Sequence, residues 1–163
     1  MRAVEPALTQ AADASAYAAA RALFEEYAAE IKVDLCFQGF TAELGRLPEM
    51  YGPPSGCLLL AQEPRAPAGE RPLGCGALRR LSPDLCEMKR LYVRPQARRL
   101  NLGRLIAQAL IVQTRDLGYR RMLLDTLESM IPARTLYYSL GFRETAAYYS
   151  NPLPDVVYMA LDL

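Results

Sequence analysis

The chain has 163 residues, of which 52% are hydrophobic and 23% are charged. This length suits one domain with a buried core, so a single domain is predicted over residues 1–163. The formal net charge of +1 provides no bulk attraction to nucleic acid or to a membrane surface, and neither is expected as a partner.

Histidine is absent from the sequence, which removes the commonest general base and most zinc sites. The four cysteines, Cys36, Cys57, Cys75 and Cys86, form no C-x-x-C pair, so we interpret them as reduced and mostly buried thiols. No metal is expected. No stretch resembles a signal peptide, and no apolar run approaches the ~20 residues that span a bilayer, so a cytoplasmic location is predicted.

The first predicted elements are a short strand over residues 2–6 and an amphipathic helix from Asp13 to Ile31, whose apolar residues recur at helical spacing. A second, short helix is predicted to begin at Thr41 as N-cap and to end at Leu47, before Pro48. The apolar loop between them, residues 34–40, either packs on the core or lines a binding cleft.

The remaining elements alternate between strands and helices. Strands are predicted over 56–61, 73–81, 85–93, 122–126, 142–147 and 156–161, and helices over 102–117 and 132–140. A surface turn over 63–72 joins the first two of these strands, and Gly118 and Gly141 end the two helices. The strand–helix–strand crossover predicts one parallel pair in an otherwise antiparallel, mixed α/β arrangement.

The most informative segment is residues 87–106, in which a strand ending at Pro95 leads through a basic loop into a helix. Arg98, Arg99 and Arg104 flank the start of that helix, whose free N–H groups carry partial positive charge. A diphosphate is the ligand that such a loop suits. A solvated basic turn is the alternative that the residues alone leave open.

Two motifs in this half of the chain resemble those of the GNAT superfamily of N-acetyltransferases. Arg98-x-x-Asn101-x-Gly103 resembles the pyrophosphate-binding pattern Q/R-x-x-G-x-G/A, with Asn101 in place of the first glycine. Residues 133–142 resemble the family signature A-x-x-L-Y-x-x-L-G-F. The resemblance covers at least residues 57–163. It implies the GNAT fold, a mixed and mostly antiparallel sheet with a splayed parallel strand pair and helices on both faces.

The resemblance further implies that acetyl-CoA is the cosubstrate and that it lies where the parallel strands splay apart. Its pantetheine amides are then expected to pair with the backbone of Leu91, Tyr92 and Val93. The diphosphate is expected at the residues Arg98, Arg99, Leu100, Asn101, Leu102, Gly103 and Arg104. At Asn101 a positive φ is reachable, because Asn tolerates the left-handed region better than other side chains.

Catalytic roles are also implied by the resemblance. An amine acceptor arrives mostly protonated, so a base must remove a proton, and Glu87 matches a catalytic glutamate of several family members. Glu87 acts directly or through water in that interpretation, and the alternative is an ion pair with a neighbouring Lys or Arg. Tyr137 matches the tyrosine that protonates the leaving thiolate, with packing in the core as its alternative. Asp125, at the end of a buried strand, is an alternative carboxylate, for which a structural hydrogen-bonding role is favoured.

Direct transfer in a ternary complex is the expected order of events, since no histidine is present to activate Cys86 as a nucleophile. The family builds its acceptor wall from loops corresponding to residues 34–40 and 148–152, where Asp34 or Asp155 is a candidate partner for an ammonium group. The predicted acceptor is a primary amine of a small metabolite. A protein or peptide amine, a non-catalytic acyl-CoA sensor and a homodimer are compatible with the same residues.

Overall fold

The computed structural model describes residues 6–66 and 71–163, apart from the side chain of Phe37. Its strands are β1 (Ala7–Gln10), β2 (Cys57–Gln62), β3 (Gly74–Arg80), β4 (Leu85–Val93), β5 (Arg121–Leu127), β6 (Arg143–Glu144) and β7 (Val156–Asp162). Its α-helices are α1 (Ala14–Ile31), α2 (Phe40–Leu44), α3 (Leu47–Tyr51), α4 (Leu102–Asp116) and α5 (Ile131–Ser139), with 3₁₀ turns at Cys36–Gln38 and Pro95–Leu100.

The strands form one seven-stranded sheet in the order β1-β2-β3-β4-β5-β7-β6. The pair β4–β5 is parallel, and the other described neighbours are antiparallel. Helices cover both faces of this sheet. The predicted fold, a mixed and mostly antiparallel sheet with one parallel pair and flanking helices, is confirmed.

Two apolar clusters lie on opposite faces of the sheet, and β2 contributes to both. Leu59 belongs to the cluster that includes α4, whereas Leu58 and Leu60 belong to the cluster that includes α1 and α3. This alternation follows from the two-residue period of a strand. On the α4 side, a Cβ at Gly76 would lie 2.6 Å from Ile106 Cγ2, so glycine permits the close approach of α4.

The parallel pair separates after three residues, and this separation positions the cleft. The register runs from Leu85↔Arg121 to Glu87↔Leu123, after which β4 stays paired with β3 while β5 stays paired with β7. A bulge in β4 lies just beyond this point, between Lys89 and Tyr92, because the register with β3 shifts between Cys75 and Ala77. Arg90 within the bulge has a φ of 57°, and a bulge bends the strand that carries it.

The predicted long helices and the crossover agree with the structure. The structure adds the N-cap of α1, where the Asp13 side chain accepts a hydrogen bond from Ala16 N at 2.8 Å. Among the described residues no helix is long and apolar enough to cross a membrane. Within the same residues, no group of three or more Cys, Asp or Glu side chains has the arrangement of a metal site. The single domain over residues 1–163 stays a prediction.

Some predicted boundaries are wrong. The helix expected to end before Pro48 is two helices, and Pro48 lies in the first turn of α3, where its missing N–H costs no hydrogen bond. Gly39, not Thr41, precedes α2. The strand expected over 142–147 is only Arg143–Glu144. The strand expected over 2–6 falls largely outside the described residues, and β1 is the first described strand.

Candidate active site

A groove runs along the splayed part of β4 to the start of α4. Most of the residues predicted to bind the cofactor line it, namely Leu91, Tyr92, Val93, Arg98, Asn101, Gly103 and Arg104, together with residues of α1 and α5. Arg99, Leu100 and Leu102 do not line it. Leu102 is instead fully buried in the core, and Leu100 is 51% exposed. The groove therefore contains the backbone segment and the basic loop that the sequence connected with the donor.

At the outer end of the groove, Asn101 adopts φ 60° and ψ 23°, the left-handed conformation that precedes α4. The first N–H groups of α4 have no partner within the helix and are directed to this end. Arg98 donates from Nε to Val93 O at 3.0 Å and pairs with the Glu30 carboxylate. Arg104 donates to Ser139 Oγ at 2.8 Å. Two guanidiniums thus flank the helix start, and one carboxylate from α1 competes for Arg98.

A second, inner cavity adjoins the groove between the splayed strands. Four residues line both spaces: Tyr27, Ile31, Leu91 and Met130. The polar side chains that line the inner cavity are Gln38, Lys89, Arg90, Asp125, Thr126, Tyr137 and Asn151. The groove therefore opens into a polar cavity at the point where β4 and β5 separate.

Asp125 is the carboxylate of this inner cavity. Its Oδ2 accepts hydrogen bonds from the Tyr149 hydroxyl and from Gln38 Nε2, the latter at 3.4 Å. Asn151 Nδ2 donates to the Tyr149 hydroxyl at 2.8 Å. Burial and the Asp125 carboxylate raise the pKa of Tyr149, so its phenol keeps the proton that it donates. The described residues give Asp125 Oδ1 no hydrogen bond.

Glu87 lies behind the cavities and lines neither of them. Its side chain is fully buried, and Oε1 accepts a hydrogen bond from Arg79 Nε at 2.7 Å. Oε2 accepts one from the Tyr148 hydroxyl, and Lys89 Nζ lies 3.8 Å from Oε1. Burial and the charge of Glu87 raise the pKa of Tyr148. This geometry matches the alternative stated for Glu87 in the sequence analysis, an ion pair with a neighbouring Lys or Arg.

Tyr137 lines the inner cavity from α5, with its ring packed edge-on against Phe142 at 5.8 Å between centroids. Burial, with smaller contributions from Tyr27 and Asp125, raises its pKa, so the hydroxyl is protonated at neutral pH. Cys86 is fully buried and lines neither space, and burial raises the pKa of its thiol to about 12. A thiol in this state is a poor nucleophile.

The sequence model of the acetyltransferase (GNAT) family matches residues 16–142. The chain belongs to the GNAT family. It is 46% identical over 142 residues to an uncharacterized N-acetyltransferase of Schizosaccharomyces pombe, which covers 86% of this chain and 85% of that protein. This assigns the chain to the N-acetyltransferases that use acetyl-CoA as donor.

Two solved structures share this GNAT fold. An acetyltransferase of Streptococcus agalactiae superposes with a TM-score of 0.77 at 19% identity, covering 97% of this chain and 98% of that one. A chain of the NatC complex bound to Gag peptide and CoA superposes with a TM-score of 0.73 at 17% identity, covering 98% and 99%. At these identities the likeness shows the fold alone.

Several residues of the GNAT cleft were missed from the sequence. Gln38 and Lys89 carry no motif, and their position becomes visible only when the turn at 36–38 folds over the splayed strands. The loop 34–40 lines the cavity through Leu35 and Gln38, which is one of the two predicted alternatives. The loop 148–152 contributes Asn151 to the lining. Asp34 and Asp155, the predicted ammonium partners, line neither space.

Proposed function

We propose that this GNAT enzyme transfers an acetyl group from acetyl-CoA to the primary amine of a small metabolite by direct attack in a ternary complex. The observation that carries the proposal is the polar inner cavity that adjoins the groove at the strand splay. Donor and acceptor can then occupy neighbouring spaces and meet beside Leu91 and Met130, which line both. Holding both reactants in one geometry replaces a bimolecular encounter with an oriented reaction.

The donor is proposed to bind with its diphosphate at the start of α4, between Arg98 and Arg104, and with its pantetheine along β4. Beyond Glu87 the β5-facing edge of β4 has no strand partner in the described sheet. Apart from Val93 O, which accepts from Arg98 Nε, the backbone groups on this edge over residues 91–93 are therefore proposed to pair with the amides of the pantetheine. Backbone atoms can make this contact whatever the side chain, so the sequence contains little information about it.

We propose Asp125, rather than Glu87, as the group that receives the ammonium proton. Asp125 lines the cavity, whereas Glu87 is enclosed by Arg79 and Tyr148. The neutral amine then attacks the thioester carbonyl carbon, forming the C–N bond as the C–S bond breaks. The hydroxyl of Tyr137 donates to the leaving sulfur, and the second proton that the nitrogen loses as the amide forms restores the Tyr137 phenol. The proton on Asp125 returns to solvent. Glu87 acts through Tyr148 and Lys89 as a positioning residue.

The test is release of the CoA thiol with a panel of primary amines. Asp125→Asn is expected to lower kcat/KM by roughly 10²–10³-fold, because the proton acceptor is lost. Asp155→Asn, whose carboxyl lines neither space, is the matched control and is expected to behave like the wild type. Tyr137→Phe is expected to lower kcat by roughly 10²-fold with KM for acetyl-CoA unchanged. A wild-type kcat/KM in Asp125→Asn beside a loss of roughly 10²-fold in Glu87→Gln, each with a normal unfolding profile, would return the base to Glu87.

Donor binding is tested separately by calorimetry with CoA. The double variant Arg98→Ala plus Arg104→Ala is expected to weaken binding by at least about tenfold, since two charge-assisted contacts to phosphate are removed. An unchanged Kd would move the diphosphate away from the start of α4.

Peptides with free N-termini in the acceptor panel test the alternative acceptor class. A cytoplasmic location and a homodimer stay predictions, and light scattering measures the latter.

A further inference from the structure

The Lys89 ammonium is buried in the wall of the inner cavity, and its described ion pair, with Glu87, is long. Lys89 is 8% exposed and lines the cavity from β4. An ammonium has three donors, yet Nζ makes one described hydrogen bond, to Gln38 Oε1 at 3.3 Å. Glu87 Oε1, at 3.8 Å, lies beyond hydrogen-bond distance. Two donors are therefore left for groups that enter the cavity.

The two carboxylates nearest to Lys89 and Arg90 are in direct contact with arginines rather than with Lys89. Glu43 is taken by Arg90, which donates to it from Nε and Nη2 at 2.9 Å each. Glu87 is taken by Arg79 at 2.7 Å. Each of these carboxylates is thus in direct contact with an arginine, and Asp125 across the cavity is a third carboxylate, whose charge also acts on Lys89. A buried charge that touches no anion directly is costly, and burial lowers the pKa of this ammonium. An anion in the cavity would remove that cost.

The opposite pole of the same cavity is Asp125, and Gln38 joins the two. The Gln38 amide accepts from Lys89 Nζ and Arg90 Nη2 with its oxygen, and donates to Asp125 and Tyr149 with its nitrogen. From the two hydrogen-bond lengths and the width of an amide, Lys89 Nζ and Asp125 Oδ2 lie at most about 9 Å apart. The cavity therefore presents a cationic and an anionic site a short distance apart.

From this arrangement we propose that the acceptor is a small amino carboxylate, with its carboxylate on Lys89 and its ammonium on Asp125. The short span between the two poles favours acceptors in which few bonds separate the amine from the carboxylate. This inference rests on the proposed function and narrows its acceptor from primary amines in general to zwitterions. Lys89 is then a specificity-determining residue that touches the substrate, while Gln38 holds the two poles in register.

The experiment compares matched acceptors that differ only in the carboxylate: glycine with glycinamide, and β-alanine with β-alaninamide. The wild type is expected to favour the carboxylate of the better pair by at least about tenfold in kcat/KM, because the amide leaves Lys89 without an anion. The amide has the less basic amine, so more of it is neutral near pH 8. This difference in basicity favours the amide, so a preference for the carboxylate would be observed in spite of it.

Variants of Lys89 assign the preference to this residue. Lys89→Met is expected to lower kcat/KM for the carboxylate far more than for the amide and so to bring their ratio near one, and Lys89→Arg is expected to keep the preference. A wild-type ratio near one in both pairs overturns the inference but leaves the proposed function standing. Equal losses for both members of a pair in Lys89→Met make the residue structural and also overturn it. If the wild type acetylates no amine in the panel, the proposed function itself is wrong.

Discussion

At the scale of single residues, Asn101 shows how the chain keeps a phosphate loop without its usual glycine. Its φ of 60° lies in the region that ordinary side chains avoid. Asn101→Ala is expected to lower the free energy of unfolding by roughly 1 kcal/mol, because alanine adopts this conformation less readily than asparagine. Asn101→Gly is expected to stay within about 1 kcal/mol of the wild type, since relief of strain is offset by backbone entropy.

Urea unfolding of the two Asn101 variants measures both values. The affinity of Asn101→Gly for CoA tests the contact with the phosphates. An affinity equal to that of the wild type would show that the asparagine side chain neither crowds nor binds them. If alanine and glycine destabilise the fold equally, the side chain of Asn101 contributes by hydrogen bonding rather than by its backbone preference.

Glu30 is the second residue whose charge matters at this end of the groove. It pairs with Arg98 and lines the groove that we assign to the diphosphate. Glu30→Gln is expected to tighten CoA binding by roughly two- to tenfold at low salt, because a like charge near the phosphates is removed and Arg98 is released. Calorimetry at low and high ionic strength checks this, and the gain is expected to shrink as salt screens the charges.

Glu49→Gln is the matched control for Glu30, because its carboxylate pairs with Arg46 on the exposed surface of α3, at 2.8 Å, and lines neither space. It is expected to leave the Kd unchanged. Weaker binding in Glu30→Gln would mean that the carboxylate orients Arg98 for the ligand instead of competing with it.

At the scale of elements, the ion pair between Glu43 and Arg90 joins α2 to the bulge of β4. Both side chains are 3% exposed, and the Arg90 guanidinium also lies over the Phe40 ring at 5.1 Å. Glu43→Ala is expected to lower the free energy of unfolding by about 3–5 kcal/mol, because it leaves a buried cation without its anion. Glu49→Ala, which removes an exposed pair, is expected to cost less than about 1 kcal/mol. Denaturant unfolding compares the two directly.

The bulge connects this ion pair with activity as well as with stability. Arg90 has a positive φ, which its bidentate contact with Glu43 stabilises. Loss of Glu43 is therefore expected to lower acetyl transfer as well as stability, because Arg90 and its neighbours in the bulge line the inner cavity. A destabilised Glu43→Ala variant with full activity would show that the bend persists without the ion pair.

The same elements show which parts of the structure were predictable from sequence. The basic loop and the start of α4 are local in sequence, so their motif indicated that Asn101 could take the positive φ that the structure has, while the anion site stays a prediction. The helices of the crossover have strong periodicity, and their bounds were nearly right. The partners of Glu87, by contrast, come from Arg79 and from Tyr148, 8 and 61 residues away. No local pattern encodes such contacts, and the same holds for Gln38 and Lys89.

At the scale of the whole molecule, burial of ionisable side chains predicts a loss of stability at alkaline pH. Burial raises the pKa of the thiols of Cys57 and Cys86 to about 11 and about 12, and it raises the pKa of Tyr51 and Tyr137 further above their usual values. A raised pKa of this kind contributes stability that is fully present below the pKa of the unfolded chain. That contribution is lost as pH rises through the window up to the folded pKa.

The free energy of unfolding is therefore expected to fall from about pH 8.5, where unfolded thiols ionise, and more steeply above about pH 10, where unfolded tyrosines ionise. Each tyrosine buried in its neutral form contributes a slope of about 1.4 kcal/mol per pH unit in the upper window. Lys89 acts in the opposite sense, because burial lowers its pKa, and its contribution to stability rises until about pH 10.4.

The variant Tyr137→Phe isolates one of these contributions. Urea unfolding between pH 8 and pH 11 under reducing conditions is expected to show an upper-window slope shallower by about 1.4 kcal/mol per pH unit than in the wild type, because one proton fewer is released on unfolding. Tyr138→Phe, at the 37% exposed neighbouring position, is the matched control and is expected to change the slope far less. Parallel slopes for the wild type and Tyr137→Phe would show that water reaches the Tyr137 hydroxyl, which would also weaken its assignment as a shielded donor to the leaving thiolate.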